Sequence, residues 1–408
     1  MQLIPASTIA SPACASCKKV SEPIANCLAQ NSRLSCKKTP QSAILLPIMK
    51  QTVAVGMSGG VDSSVSALLL KQQGYQVIGL FMKNWEENDE TGRCKASKEF
   101  DDVAAVCDKI GIPYYSINFI EEYKSLVFND FLKTIQAGFT PNPDILCNRE
   151  IKFDVFLTKA KEIGADLLAT GHYCQTDGHG HLLKGLDPNK DQSYFLHAVK
   201  NHALETVLFP IGHLHKTQVR EIARANGLST AEKKDSTGIC FIGKRDFKPF
   251  LSQYIGIQKG PFKTLDGQVV GEHDGMAFYT IGQRKGMGLG GEGDAWFVVG
   301  KDIQHNIVYV ERGADHPALY ATELIADQIT WIKEIPSAYP YRCTAKIRYR
   351  QEDQPCFIEP LENDRFLVKF DTAQRAISPG QSVVFYQDQL CLGGGCIKTS
   401  HHSPQLVY

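Results

Sequence analysis

The 408 residues predict an α/β protein in three parts: a Rossmann-like parallel-sheet domain, a small central domain, and a C-terminal antiparallel β-barrel. Three observations carry this. Apolar runs of strand length alternate with helix-length periodic segments from Thr52 to Thr170, the pattern of a parallel sheet covered on both faces. The first run opens into the turn Ser58-Gly59-Gly60-Val61-Asp62-Ser63 and then into a helix, which is the recipe for an anion site. From Gly260 the character changes to dense glycine and short β-prone runs, as in a compact antiparallel barrel. The expected division is an extension over 1–48, a nucleotide-binding domain over 49–210, a central domain over 211–300 and a barrel over 301–408.

In chain order, residues 1–48 hold five Lys/Arg, one Glu and no Asp, without periodicity, and are expected to be disordered. Cys14, Cys17, Cys27 and Cys36 number enough for zinc, but no histidine supports the set. A targeting peptide is an alternative, with scarce arginine (Arg33 alone) against it, and Met49-Lys50 reads as a natural start. Thr52–Val55 is the first strand. Val61, Val65, Leu68 and Leu69 then recur at helical spacing. Val77–Met82 is the second strand and Asn84–Arg93 a polar loop. Phe100–Ile110 is a helix stopped by Gly111 and Pro113. Tyr114–Phe119 is the third strand, Glu121–Gln136 and Ile151–Ile163 are helices, and Ala165–Thr170 is the fourth strand. His202–Leu208 and Lys216–Asn226 read as short helices. The β-prone runs are Phe278–Ile281, Ala295–Val299, Asn306–Val310, Tyr341–Arg348, Phe357–Pro360, Arg365–Phe370 and Ser382–Tyr386, with Gly393–Gly395 a tight turn.

Composition narrows the class. With 43% hydrophobic and 22% charged residues the chain is an ordinary soluble protein, and no apolar run is long enough to span a membrane. Zero net charge removes any general electrostatic case for nucleic acid but leaves room for a local basic patch. Thirteen cysteines without a secretory signal or a disulfide-type spacing read as reduced thiols, hence a cytoplasmic protein.

The turn after the first strand lacks both the dinucleotide GxGxxG spacing and the Gly-Lys-Ser/Thr of a Walker loop. Adjacent glycines let the backbone approach phosphate, and Ser58 and Ser63 add hydroxyls. Asp62 repels phosphate unless it helps hold Mg²⁺ or the loop itself. Three further loops are rich in polar groups. In Thr140-Pro-Asn-Pro-Asp144-Ile-Leu-Cys147-Asn-Arg149 a helix begins near Cys147, where unpaired amides would acidify a thiol; a buried, inert cysteine suits the same pattern. Cys240, flanked by Gly238 and Gly243, suits a core strand or, with a second thiol, a persulfide carrier. Asp187–Phe195 mixes charge, amide and aromatic groups, as RNA-contacting loops and solvated turns both do. In an extended run Lys346, Arg348 and Arg350 share one face, next to Tyr349. His172 follows the fourth strand, where ligands gather on such sheets. No convincing metal cluster exists outside residues 14–36.

The stretches GMSGGVDSSV, GLFMKNWEE, TPNPDILCNREIKF, ATGHY, NKDQSYFL, KKDSTGICFIG, YTIGQRKG and CLGGG occur in an order that resembles the bacterial tRNA-specific 2-thiouridylase family over residues 50–398. SGGxDS is shared by many pyrophosphatase-loop (PP-loop) enzymes; the two cysteine motifs and KDQSYFL are more restrictive. The resemblance implies an adenine-nucleotide-binding PP-loop domain and ATP-dependent 2-thiolation of the wobble uridine of tRNAs for Lys, Glu and Gln. It implies that ATP, with Mg²⁺, is held by Gly56, Met57, Ser58, Gly59, Gly60, Val61, Asp62 and Ser63, with Met82 and Gly171 around the adenosine. It implies that Cys240 carries the persulfide, that Cys147 is the second catalytic cysteine, and that Asp144 is an acid/base. Asn142, Pro143 and Asp144 match the segment that handles the target base. His172, Lys190, Asp191, Gln192, Arg348, Tyr349 and Gln381 match tRNA-contact positions. The implied partners are those tRNAs and a persulfide donor, a cysteine desulfurase or sulfur-relay protein. A small-molecule PP-loop ligase would use Ser58–Ser63 but needs no loop cysteines; a non-enzymatic RNA-binding module would consume no ATP.

Overall fold

The computed structural model describes residues 4–5, 51–86, 95–235, 247–332, 334 and 336–400. The expectations for residues 1–48, apart from the two-residue strand Ile4–Pro5, lie outside these residues, as does Cys240. The first sheet has five parallel strands, Thr52–Met57, Gln76–Lys83, Tyr114–Asn118, Leu167–Ala169 and Val207–Leu208, with Ile4–Pro5 antiparallel on one edge. Thr52–Met57 lies between Gln76–Lys83 and Leu167–Ala169. It is buried on both faces, which explains its unbroken apolar run.

Each face packs its own core. Val53, Val55, Met57, Val77 and Phe81 meet Ala67, Leu70, Val103 and Val106 of the helices Val61–Gln72 and Lys95–Ile110. On the other face Ala54, Leu80 and Met82 join Phe119, Phe131, Ile145, Cys147, Ile151 and Phe156. The expected helix over 202–208 stops at Leu204. Val207 and Leu208 instead pair in parallel with Leu168 and Ala169, because β-branched Val207 fills the sheet edge next to a short strand.

A second, four-stranded sheet spans Gly260–Lys263, Val269–His273, Trp296–Asp302 and Ile307–Arg312. The run expected over Phe278–Ile281 is a 3₁₀ turn, Met276–Phe278, followed by an irregular stretch and a turn at Ile281–Gly282. Its aromatics still serve a core: Tyr279 packs edge-on to Phe262. The C-terminal strands Tyr320–Trp331, Tyr341–Lys346, Gln354–Pro360, Phe366–Arg375, Ser382–Gln387 and Leu390–Ser400 close into an antiparallel barrel, since the first also pairs with the last. Gly393–Gly395 lies inside the last strand and not in a turn. A Cβ at Gly393 would stand 2.1 Å from the Thr330 carbonyl oxygen, so the closing strands meet where side chains cannot fit. The hairpin Cys174–Thr176 and Leu182–Lys184, from the first part of the chain, extends this sheet at Leu390–Cys391.

The three parts meet around residues 138–140. Thr140 N donates to Pro379 O at 3.1 Å, Gln381 Nε2 donates to Thr140 O at 2.7 Å, and Lys301 Nζ donates to Gly138 O at 2.8 Å. No helix among the described residues is long and apolar enough to cross a membrane.

Lys301 is a buried ammonium, only 5% exposed, and burial lowers its pKa from 10.5 to about 8. The charged form is penalised in the folded state below pH 8, and the penalty disappears as pH rises through the window from 8 to 10.5. Wild-type unfolding free energy, measured against Lys301→Met by denaturant titration, is expected to gain on the order of 3 kcal/mol across that window. A flat difference would contradict it.

Candidate functional site

The glycine-rich turn sits where the first strand ends. Gly59 has φ +70°, and a Cβ there would lie 2.7 Å from Glu99 O. Gly60 is the N-cap of Val61–Gln72 and supplies no side-chain cap, so the first helical amides stay available to an anion. Ser63 Oγ braces the turn, accepting from Ser58 N at 3.2 Å and donating to Gly60 O at 3.2 Å. Gly171 lies directly against the helix start: a Cβ would stand 2.8 Å from Ser63 N and 2.9 Å from Asp62 C. Met82, buried at the end of the neighbouring strand, walls the same end of the sheet.

Asp62 holds the loop. Its carboxylate accepts from Tyr173 Oη at 2.7 Å and from Lys216 Nζ at 2.8 Å on each oxygen. Burial, then the Asp62 charge, push the Tyr173 phenol well above its usual range, so it stays a donor. Lys233 Nζ donates to Gly59 O at 2.8 Å and to Asp102 Oδ2 at 2.6 Å. Thr230 Oγ1 donates to Ser64 Oγ at 3.0 Å. Lys216, Lys233 and Asp235 escaped the sequence reading. A lysine opening a helix and a charged pair inside KKDSTGICFIG give no sign of what they face until the chain folds.

The Asn142–Cys147 segment departs from its expectation. The helix begins at Pro143, with Asn142 as N-cap: Asn142 Oδ1 accepts from Asp144 N at 3.2 Å. Cys147 is therefore the fifth helical residue, its own N–H bonded back to Pro143 and Asp144 carbonyls. In the turn before it Asp144 N and Ile145 N are already bonded to Asn142, and the thiol is fully buried in one cluster with Ile145 and Ile151. From Cys147 to Val155 the helix widens into a π-helix, a feature that clusters at functional sites. Asp144, one turn earlier, is only partly buried.

The remaining predicted contact residues have partners within the protein. His172 Nδ1 pairs with Thr170 Oγ1 at 2.8 Å between Phe153 and Phe209. Burial, with the Lys152 charge adding, holds its imidazole well below the usual range, so it is neutral at pH 7. Asp191 is buried and accepts from Gly185 N, Ser193 N and Ser193 Oγ. Gln192 Oε1 accepts from Tyr173 N at 3.0 Å. Lys190 Nζ donates to Asp235 at 2.7 Å, and Tyr349 Oη donates to Lys190 O at 3.3 Å. Tyr349 also packs on Phe195 at 4.5 Å. The expected row of Lys346, Arg348 and Arg350 does not form, because the strand ends at Lys346 and residues 347–350 bend. Lys346 turns to Asp191 and Asp353, while Arg348 Nη2 donates to Ile281 O and Ala376 O. Gln381 instead bonds Thr140, two residues before Asn142.

Among the described residues no three His, Cys, Asp or Glu side chains gather as a metal site. Within the loop Asp62 is the carboxylate that would stand beside a Mg²⁺ ion.

Residues 51–244 match the family model described as tRNA methyl transferase HUP domain, 248–312 that of the tRNA methyl transferase PRC-barrel domain, and 321–397 that of the aminomethyltransferase beta-barrel domain. The chain is 62% identical over 353 residues to the tRNA-specific 2-thiouridylase MnmA of Protochlamydia amoebophila, covering 86% of this chain and 94% of that one. It is 56% identical over 348 residues to the protein of the same name from Geobacillus thermodenitrificans, covering 85% and 94%. Against that from Proteus mirabilis it is 55% identical over 358 residues, covering 86% and 98%.

Gly171→Ala is expected to weaken ATP binding about tenfold or more, since overpacking against loop backbone costs roughly 1–3 kcal/mol and 1.4 kcal/mol is a factor of ten. Calorimetric titration with ATP checks this, and an unchanged affinity would remove Gly171 from the site.

Proposed function

The chain belongs to the family of tRNA-specific 2-thiouridylases, an ATP-dependent sulfurtransferase acting on the wobble uridine, and we propose that it modifies the tRNAs for Lys, Glu and Gln through an adenylated base and a Cys240 persulfide. The observation that carries this reading is spatial. Met82, at the nucleotide end of the sheet, and Ile145 and Cys147, next to the base-handling turn, share one apolar cluster. Ligands of such sheets sit beyond the C-terminal ends of the strands, where a nucleotide on the loop would face a base at Asn142–Asp144.

The uracil O2 is a poor leaving group as it stands. It attacks the α-phosphate of ATP, the Pα–O bond to pyrophosphate breaks, and O2 becomes part of an AMP leaving group. The loop amides and helix start stabilise the departing pyrophosphate. Mg²⁺, when bound, supplies further neutralisation of that charge. Asp144, on the partly exposed turn, takes the proton that N3 gives up. The terminal sulfur of the Cys240 persulfide then attacks C2 and AMP departs. The Cys147 thiolate attacks the Cys240 sulfur, the S–S bond breaks, and thiouridine is released with a Cys147–Cys240 disulfide that a reductant reopens. In the alternative order Cys147 first displaces hydrosulfide from the persulfide, which attacks C2 and leaves the same disulfide. The wobble base has to leave the anticodon stack for either route, and the buried Cys147 supports a shift of the Asn142–Leu146 turn as the base enters. Arg348 ties the barrel to Ile281, Tyr349 ties it to Lys190 and Gln381 ties it to Thr140, which frames the tRNA.

With ATP·Mg²⁺, unmodified tRNA for Glu and a cysteine-desulfurase sulfur source, the protein is expected to form 2-thiouridine at the wobble position, read by mass spectrometry of the digested tRNA. Cys240→Ser and Cys147→Ser are expected to bind tRNA normally and to form none. AMP made without tRNA, with no thiolated base, would favour a small-molecule ligase.

A further inference from the structure

A carboxylate outside the residues assigned above gathers three cations. Asp235 Oδ2 accepts from Lys190 Nζ at 2.7 Å; Oδ1 accepts from Arg220 Nη2 at 3.0 Å and lies 2.8 Å from Lys216 Nζ. Each cation leads to a different part of the site. Lys190 belongs to the turn that precedes the Ser193–Leu196 helix. Lys216 continues to Asp62 in the glycine-rich loop. Arg220 holds the carbonyls of Ala231 and Lys233, and Lys233 reaches Gly59 O.

Stability alone is a weak reason for such a cluster. The Asp235 side chain is 35% exposed, and ion pairs with that much solvent contribute about 0–1 kcal/mol. Burial acts against its charge, yet hydrogen bonds from Lys190 and Lys216 bring its pKa down to about 2, so it is anionic at any working pH. What the cluster does supply is geometry, because a carboxylate that accepts from the Lys190 turn and from two cations of the Lys216–Ala225 helix fixes that turn and that helix relative to one another.

We propose that Asp235 is a positioning residue for thiolation: it holds the Lys190 turn and, through Lys216, the Asp62 loop in one arrangement, so that tRNA docked on the turn and ATP held by the loop come into register. The inference rests on the function proposed above. It gives Asp235 no contact with either substrate.

Asp235→Asn keeps the size and removes the charge. With the tRNA, ATP·Mg²⁺ and sulfur source named above, its single-turnover rate of thiouridine formation is expected to fall about tenfold or more. The deciding readout is a double-mutant cycle with Lys190→Gln. Residues acting as one unit give a double variant within about twofold of the slower single variant. A loss of folded fraction would instead multiply through the cycle. Losses that multiply, or an Asp235→Asn rate above half of wild type, overturn the proposal. Should Asp235→Asn fail to fold, Asp235→Glu keeps the charge and moves it outward by one methylene; it is expected to be at least threefold slow, and a wild-type rate from it overturns the proposal equally. Absence of thiouridine from the wild-type protein would overturn the functional reading and this inference with it, whereas an active wild type with an unimpaired Asp235→Asn overturns the inference alone.

Discussion

A carboxylate placed in a phosphate loop is the constraint on which the rest of this structure depends. Asp62 sits at the start of the helix whose amides would receive a polyanion, where its charge opposes binding. The fold answers by shared hydrogen bonding: Tyr173 and Lys216 both donate to it. Those two donors come from the loop after the fourth parallel strand and from a helix 154 residues away in sequence. The loop is thus tied to chain that follows it by more than a third of the protein. An Asp62 left bare would repel phosphate; an Asp62 so tied becomes the anchor of the loop.

The second organising feature is the junction at residues 138–144. Here the end of a helix, the central sheet and the barrel meet through Lys301, Pro379 and Gln381. The next few residues are Asn142 and Asp144, and one turn on comes Cys147. Anchoring the backbone just before a Pro-bounded turn defines where that turn points. Asn142 caps the turn itself, bonding Asp144 N through its side chain and Ile145 N through its carbonyl. The π-helical segment that follows is a strained way to continue a helix, and it places Asn148 to donate to Phe195 O at 3.0 Å. That bond joins the cysteine-bearing helix to the KDQSYFL segment.

The barrel's part is framing. Its polar residues that resemble tRNA contacts mostly satisfy the protein's own backbone, as Arg348 does at Ile281 and Ala376. Arg348 keeps solvent exposure while its guanidinium bonds those two carbonyls. These residues therefore set the shape that a tRNA would meet before any of them touches it.

The parallel sheet, the glycine-rich turn and the antiparallel C-terminal region were legible in sequence, because alternation, strand-length apolar runs and glycine pairs are local signals. So was the family, through motifs whose spacing is itself local. The strand Val207–Leu208 was not, since a two-residue edge strand has no period to read. Nor was the bend after Lys346, which depends on what Arg348 finds to bond. The depth of Cys147 in the core, the role of Asp62 and the three cations on Asp235 were decided only by tertiary structure. Each depends on partners far apart in the chain, and a sequence lists charges without saying which of them will share a carboxylate.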